Sequence, residues 1–78
     1  MRILVAEDEL TIARALRVML EKNKFSVDVV NDGADALDYI MANAYDALVL
    51  DIMMPKMDGV EVLRAARRRG VTTPALFL

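Results

Sequence analysis

Two short apolar runs in this 78-residue chain end in carboxylates: Ile3-Leu4-Val5-Ala6 leads into Glu7-Asp8-Glu9, and Ala47-Leu48-Val49-Leu50 leads into Asp51. An apolar run that stops abruptly in an acid reads as a buried strand delivering that acid to the rim of a sheet. If the two strands are parallel, at least three carboxylates meet at one edge. Like charges about 4 Å apart repel by about 4 kcal/mol at an effective dielectric near 20. Such a cluster is relieved by partial protonation or by a cation. A few hard oxygen donors with room for water favour Mg²⁺ over a dedicated calcium cage. Mg²⁺ can hold the oxygens of a phosphoryl group and neutralise its developing charge, or one carboxylate can act as the nucleophile and become an acyl phosphate.

Each acid also has a plainer structural role to weigh. Glu9 reads as a first-turn acid favoured by the helix dipole, and either Glu7 or Asp8 alone could be a helix cap. Asp51 is different, because it precedes Ile52-Met53-Met54-Pro55 rather than a helix. Asp58 reads as a helix cap, with Glu61 three positions on completing a capping box. Met53, Met54 and Met57 read as gap-filling under the loop, and Arg67-Arg68-Arg69 as cations complementing a helix C-terminus. Gly33, Gly59 and Gly70 are too scattered to form a glycine-rich phosphate loop.

The elements that position these acids alternate. Arg2–Ala6 is a strand, and Leu10 to about Lys22 a helix with Leu10, Ala13, Leu16 or Arg17 and Leu20 along one stripe. Asn23-Lys24 breaks it. Phe25–Val30 is a half-exposed strand, Asn31-Asp32-Gly33 a turn, and Ala34–Ala42 a helix facing inward through Ala36, Leu37, Ile40 and Met41. Asp46–Leu50 is a strand, Gly59–Arg69 a helix stopped by Gly70 in the left-handed conformation, and Ala75–Leu78 a fourth strand. This βαβαβαβ order predicts a doubly wound α/β fold with a flavodoxin-like parallel sheet. Ligands in such sheets sit beyond the carboxyl ends of strands where the strand order reverses, so strands one and three are expected to be neighbours there.

Composition narrows the function classes. The chain has no cysteine and no histidine, which removes thiolate sites, disulfides, the commonest zinc ligand and imidazole general bases. A net charge of -2 provides no field suited to nucleic acid, so no direct nucleic-acid contact is expected. No apolar run is long enough for a membrane span or a signal peptide, and a cytoplasmic location is expected. The 56% hydrophobic content suits a sheet covered on both faces.

At these residues the chain resembles the receiver domain of bacterial two-component response regulators. The resemblance rests on Ile3-Leu4-Val5 before Glu7-Asp8-Glu9, on Ala47-Leu48-Val49-Leu50 into Asp51, on Met54-Pro55-Lys56-Met57-Asp58-Gly59, and on Pro74 before an apolar strand. Val5-Ala6-Glu7-Asp8-Glu9 looks most like the subfamily with a winged-helix DNA-binding output domain. The resemblance implies that Asp51 accepts a phosphoryl group from a sensor histidine kinase. It implies Mg²⁺ bound by Asp8 directly, by Glu7 through water and by the Met53 backbone carbonyl beside Asp51, with Pro55 and Gly59 shaping the loop. Residues 1–78 read as a partial receiver domain that stops inside the fourth strand, before the family's Ser/Thr switch residue, fifth-strand lysine and last two helices, with phosphotransfer expected to be impaired. Leu76-Phe77-Leu78 would then be an open edge, through which the chain is expected to self-associate or pair with a complementary fragment. The alternative function is a structural, assembling fragment whose acids are relics. A Mg²⁺-dependent hydrolase or nuclease is disfavoured, because Asp51-Ile52-Met53 lacks a second acid two residues on.

Overall fold

A computed structural model describes residues 1–78. Four strands, β1 (Arg2–Ala6), β2 (Ser26–Val30), β3 (Ala47–Leu50) and β4 (Ala75–Phe77), alternate with three helices, α1 (Leu10–Lys22), α2 (Gly33–Ala42) and α3 (Gly59–Arg68). All pairings are parallel, and the strand order is β2-β1-β3-β4. The chain therefore steps outward from β1 to β2, then crosses back over β1 to β3. This is the expected doubly wound arrangement, with its reversal point between β1 and β3.

Both faces of the sheet are covered, but unequally. Leu4, Ala6, Leu48 and Leu50 pack on one face with Ala36 and Ile40 of α2 and Val62 and Ala66 of α3. On the other face Ile3, Val5 and Val27 form a smaller cluster, supported by Leu16 and Leu20 of α1 and by Phe25. β1 thus sends alternate side chains into both clusters, which is why its sequence is apolar throughout rather than alternating.

Helix ends follow local chemistry. The α1 terminus is a Schellman arrangement in which Lys24 N–H donates to the Glu21 carbonyl (2.9 Å) and Phe25 N–H to Leu20 (3.2 Å). Lys24 takes the left-handed position at φ 66°, where glycine is usual. The same pattern closes α3, with Gly70 at φ 88° and Val71 N–H on the Ala66 carbonyl. Asp58 and Glu61 form the expected capping box at the start of α3.

Three expectations from the sequence are corrected. Glu9 is not a first-turn acid: it is the N-cap of α1, accepting from the Thr11 and Ile12 amides, which frees Glu7 and Asp8 from capping. Leu10 and Met41 lie on their helices' apolar stripes yet stay 59% and 40% exposed. Leu10 sits in the first turn, and α1 reaches the sheet through Ala13, Leu16 and Leu20 instead. Met53 is 79% exposed and fills no gap, whereas Met54 and Met57 pack against the larger cluster as expected.

Candidate metal centre

β1 and β3 run in register, with Ala6 opposite Leu50. The ladder continues one rung further through Asp51 N–H, which donates to the Ala6 carbonyl (2.8 Å). Register alone therefore sets Asp51 beside Glu7 at the carboxyl edge. Carboxylate oxygens of Glu7, Asp8 and Asp51 all lie within 4.8 Å of one another. Glu7 is buried (4% exposed), Asp51 half-buried and Asp8 exposed, so the cluster is open on one side.

The burden falls on Glu7. Burial pushes its carboxyl above the usual range, and hydrogen bonding and charge from Asp51, with Asp8 beyond, push it the same way. The Glu9 N–H, which donates to Glu7 Oε2 (3.0 Å), offsets part of this. A buried acid facing two others gains from any cation placed among them.

The loop after Asp51 is fixed from two sides. On the α3 side, Gly59 N–H donates to the Ile52 carbonyl (2.8 Å), and a side chain at Gly59 would run into the Asp51 carbonyl oxygen. On the α2 side, Gly33 N–H donates to the Pro55 carbonyl (3.2 Å), and a side chain there would meet the Met57 carbonyl. Lys56 sits between them at φ 71°, closing a tight γ-turn in which Met57 N–H donates to Pro55 (2.8 Å). Its ammonium lies 3.5 Å from Asp32, the N-cap of α2. Gly59 is buried, while Pro55 is exposed and enters this frame through its carbonyl, which accepts from both Gly33 and Met57 N–H.

The structure brings together Glu7, Asp8 and Asp51, as expected from the sequence. Met53 follows two residues after Asp51 in the same loop, with its side chain turned to solvent. Thr72 and Thr73 lie at the opposite end of β4; Thr73 Oγ1 reaches the Tyr45 carbonyl (3.4 Å). From sequence alone Asn31-Asp32-Gly33 reads as a plain turn. Asn31 Nδ2 in fact donates to the Glu7 carbonyl (3.0 Å), a contact that residue identity alone did not announce.

A doubly wound parallel sheet carrying an acid cluster beyond β1 and β3 defines an α/β protein of the flavodoxin-like class. The family model of the response regulator receiver domain matches residues 3–78, and the chain belongs to that family. The transcriptional regulatory protein DltR of Streptococcus agalactiae is 47% identical over 78 residues, which cover all of this chain and 35% of DltR. The response regulator MprA of Mycobacterium avium is also 47% identical, over 34% of its length. The chain thus spans about a third of the length of these curated relatives. Among solved structures, the receiver domain of Francisella response regulator 1452 matches with a TM-score of 0.95 and 37% identity, covering 97% of this chain and 63% of that one. The response regulator TrrA of Thermotoga maritima, solved in complex with Mg²⁺-BeF, matches with a TM-score of 0.87 and 33% identity, covering 97% and 64%. These likenesses favour a receiver over the alternative of an assembly fragment.

Proposed function

We propose that residues 1–78 form part of a receiver domain in which Asp51 accepts a phosphoryl group from a phosphohistidine of a sensor histidine kinase. The observation that carries this reading is the convergence of the Glu7, Asp8 and Asp51 oxygens within 4.8 Å at the reversal point of the sheet. Asp51 is the group to react: it stands at the end of a buried strand, with its backbone tied to Ala6 and to the Gly59 helix start, and is half-buried. A carboxylate oxygen of Asp51 forms the new O–P bond as the N–P bond of the phosphohistidine breaks, and the released imidazole takes up a proton.

The donor set fits Mg²⁺, being all hard oxygen and overloaded with negative charge, and TrrA supplies a relative that carries this ion. Glu7, Asp8 and Asp51, together with the Met53 carbonyl, would hold it. When bound there, Mg²⁺ would neutralise charge on the transferred phosphoryl oxygens. The Glu9 amide holds the Glu7 carboxyl in place beside the site, and the lack of a side chain at Gly59 lets the start of α3 pack against the Asp51 carbonyl.

The setting proposed is cytoplasmic; no helix of the chain is long and apolar enough to cross a membrane. Direct nucleic-acid contact is not part of the proposed role, given the net charge of -2.

Incubation with acetyl phosphate and Mg²⁺, followed by intact-mass measurement, tests the main reading. One phosphoryl adduct is expected on the chain and none on Asp51→Asn. An adduct that survives in Asp51→Asn, or none in either, refutes the assignment.

A further inference from the structure

The turn joining β2 to α2 contributes no acid to the cluster, yet it touches both of the loops that do. At one end Val30 accepts from Glu7 N–H (3.1 Å) and Asn31 Nδ2 donates to the Glu7 carbonyl (3.0 Å). At the other, Gly33 N–H donates to the Pro55 carbonyl (3.2 Å) and Asp32 faces Lys56 (3.5 Å). The ladder explains why Asn31 is needed. In a continued parallel pairing, the Glu7 carbonyl would accept from the N–H of residue 32. Asp32 has left the strand direction to cap α2, where its Oδ1 accepts from Asp35 N–H (2.8 Å). The Asn31 side-chain amide takes over the missing donor, so Glu7 is gripped at its N–H, its carbonyl and its carboxylate.

We propose that Asn31 is a positioning residue for the acid cluster: by completing the last rung between β1 and β2 it fixes the Glu7 backbone, and with it the separation of Glu7 and Asp8 from Asp51. This inference rests on the Mg²⁺ reading given above and adds a residue that touches neither the ion nor the phosphoryl group. Without this bond, Glu7 retains its tie to Val30, but its carbonyl is released where the two acid-bearing segments diverge. The loosened Glu7–Asp8 segment then orders on metal binding, and affinity falls. Partners that orient metal ligands commonly account for about 10–100-fold in affinity. Asn31 acts on backbone rather than on a ligand oxygen, so a loss of about 3–10-fold is expected, the scale of one hydrogen bond.

The test is a titration of the metal-free chain with MgCl₂ alone, followed by nuclear magnetic resonance, on four proteins. These are the unsubstituted chain, Asn31→Ala, the near-isosteric Asn31→Leu, and Asn43→Ala as a control. Asn31 is exposed, so its substitutions leave the core intact. Asn43 bonds Arg2 and the Tyr39 carbonyl, away from the acids, and its loss is expected to lower the melting temperature without reaching the site. The proposal expects both Asn31 variants to weaken Mg²⁺ binding about 3–10-fold while Asn43→Ala stays within about twofold of the unsubstituted chain. Equal affinity in the unsubstituted chain and both Asn31 variants overturns the positioning role and leaves the Mg²⁺ site standing. An equal loss in Asn43→Ala also overturns it, because the effect would then follow general stability. Failure of the unsubstituted chain to bind Mg²⁺ overturns both readings together.

Discussion

Glu7 shows how one residue can lower stability to serve a site. Its carboxyl is held above the ordinary range, chiefly by burial and then by Asp51 and Asp8. A carboxyl with a raised folded-state value contributes stability below its unfolded value, and that contribution is lost as pH rises through the folded value. Once ionised, Glu7 is therefore a liability that a cation relieves. Glu7→Gln is expected to raise the metal-free melting temperature at pH 7 by a few degrees, about 1 kcal/mol in a chain of this size. It should flatten the loss of stability as pH rises through the folded-state value of Glu7, and weaken Mg²⁺ binding. Calorimetric scans at several pH values, with and without Mg²⁺, check all three. A lower metal-free melting temperature would contradict the electrostatic account.

At the level of elements, the start of α3 serves the site as much as the strands do. Gly59 lies against the Asp51 carbonyl and donates to Ile52, while Asp58 and Glu61 cap the helix that begins there. A methyl group at position 59 would have to displace either α3 or the strand end that bears Asp51. Gly59→Ala is expected to cost about 1–3 kcal/mol in denaturant unfolding, the usual range for forcing atoms into filled space. It should also slow phosphoryl uptake from acetyl phosphate by more than its stability loss explains. Asp58→Ala is the useful comparison. It should cost about 1 kcal/mol through the lost cap while leaving the Asp51 backbone in place.

For the whole molecule, the larger core cluster and a polar group at the amino end of the strands make separate contributions to stability. Leu48 is wholly buried in the larger cluster, and Leu48→Ala is expected to cost about 2–5 kcal/mol. A chain this short has a thin stability margin, so circular dichroism should find that variant largely unfolded at 37 °C. At the amino end of the strands Arg2, Asp28, Asn43 and Tyr45 form a joined polar group. Tyr45 hydroxyl donates to Asp28 (2.6 Å), Arg2 pairs with Asp28 (3.0 Å), and the guanidinium lies over the Tyr45 ring. The Tyr45 bond, followed by Arg2, holds the Asp28 carboxyl below its usual range, while burial and Asp28 push the Tyr45 hydroxyl up. A lowered carboxyl contributes stability that is present above its unfolded value, about 3.9, and is lost as pH falls through the folded value. Asp28→Asn should therefore cost about 1 kcal/mol at pH 7, a figure reduced for the partial exposure of the pair, and little once the pH falls below Asp28's folded-state value. Thermal melts between pH 2 and 7, a range of about five units, check this, and a constant difference at every pH would refute it.

Much of this protein was legible without coordinates. Alternating apolar runs and helical stripes defined four strands and three helices to within a residue or so of Phe25, Ala34, Asp46, Arg69 and Leu78. Abrupt apolar-to-acid junctions singled out Glu7, Asp8 and Asp51, because strand burial and terminal charge are both local properties of a sequence. Position along the chain could not say which acid caps α1, since Glu7, Asp8 and Glu9 are chemically alike; the backbone angles at Glu9 decided it. Nor could it show that Leu10, Met41 and Met53 stay in solvent, because exposure depends on what lies opposite. The grip of Asn31 on Glu7 joins residues 24 apart in sequence through a rung that exists only once β1 and β2 are paired. Chemistry at each strand end was written in the chain; the distances between those ends came from register, which belongs to the assembled sheet.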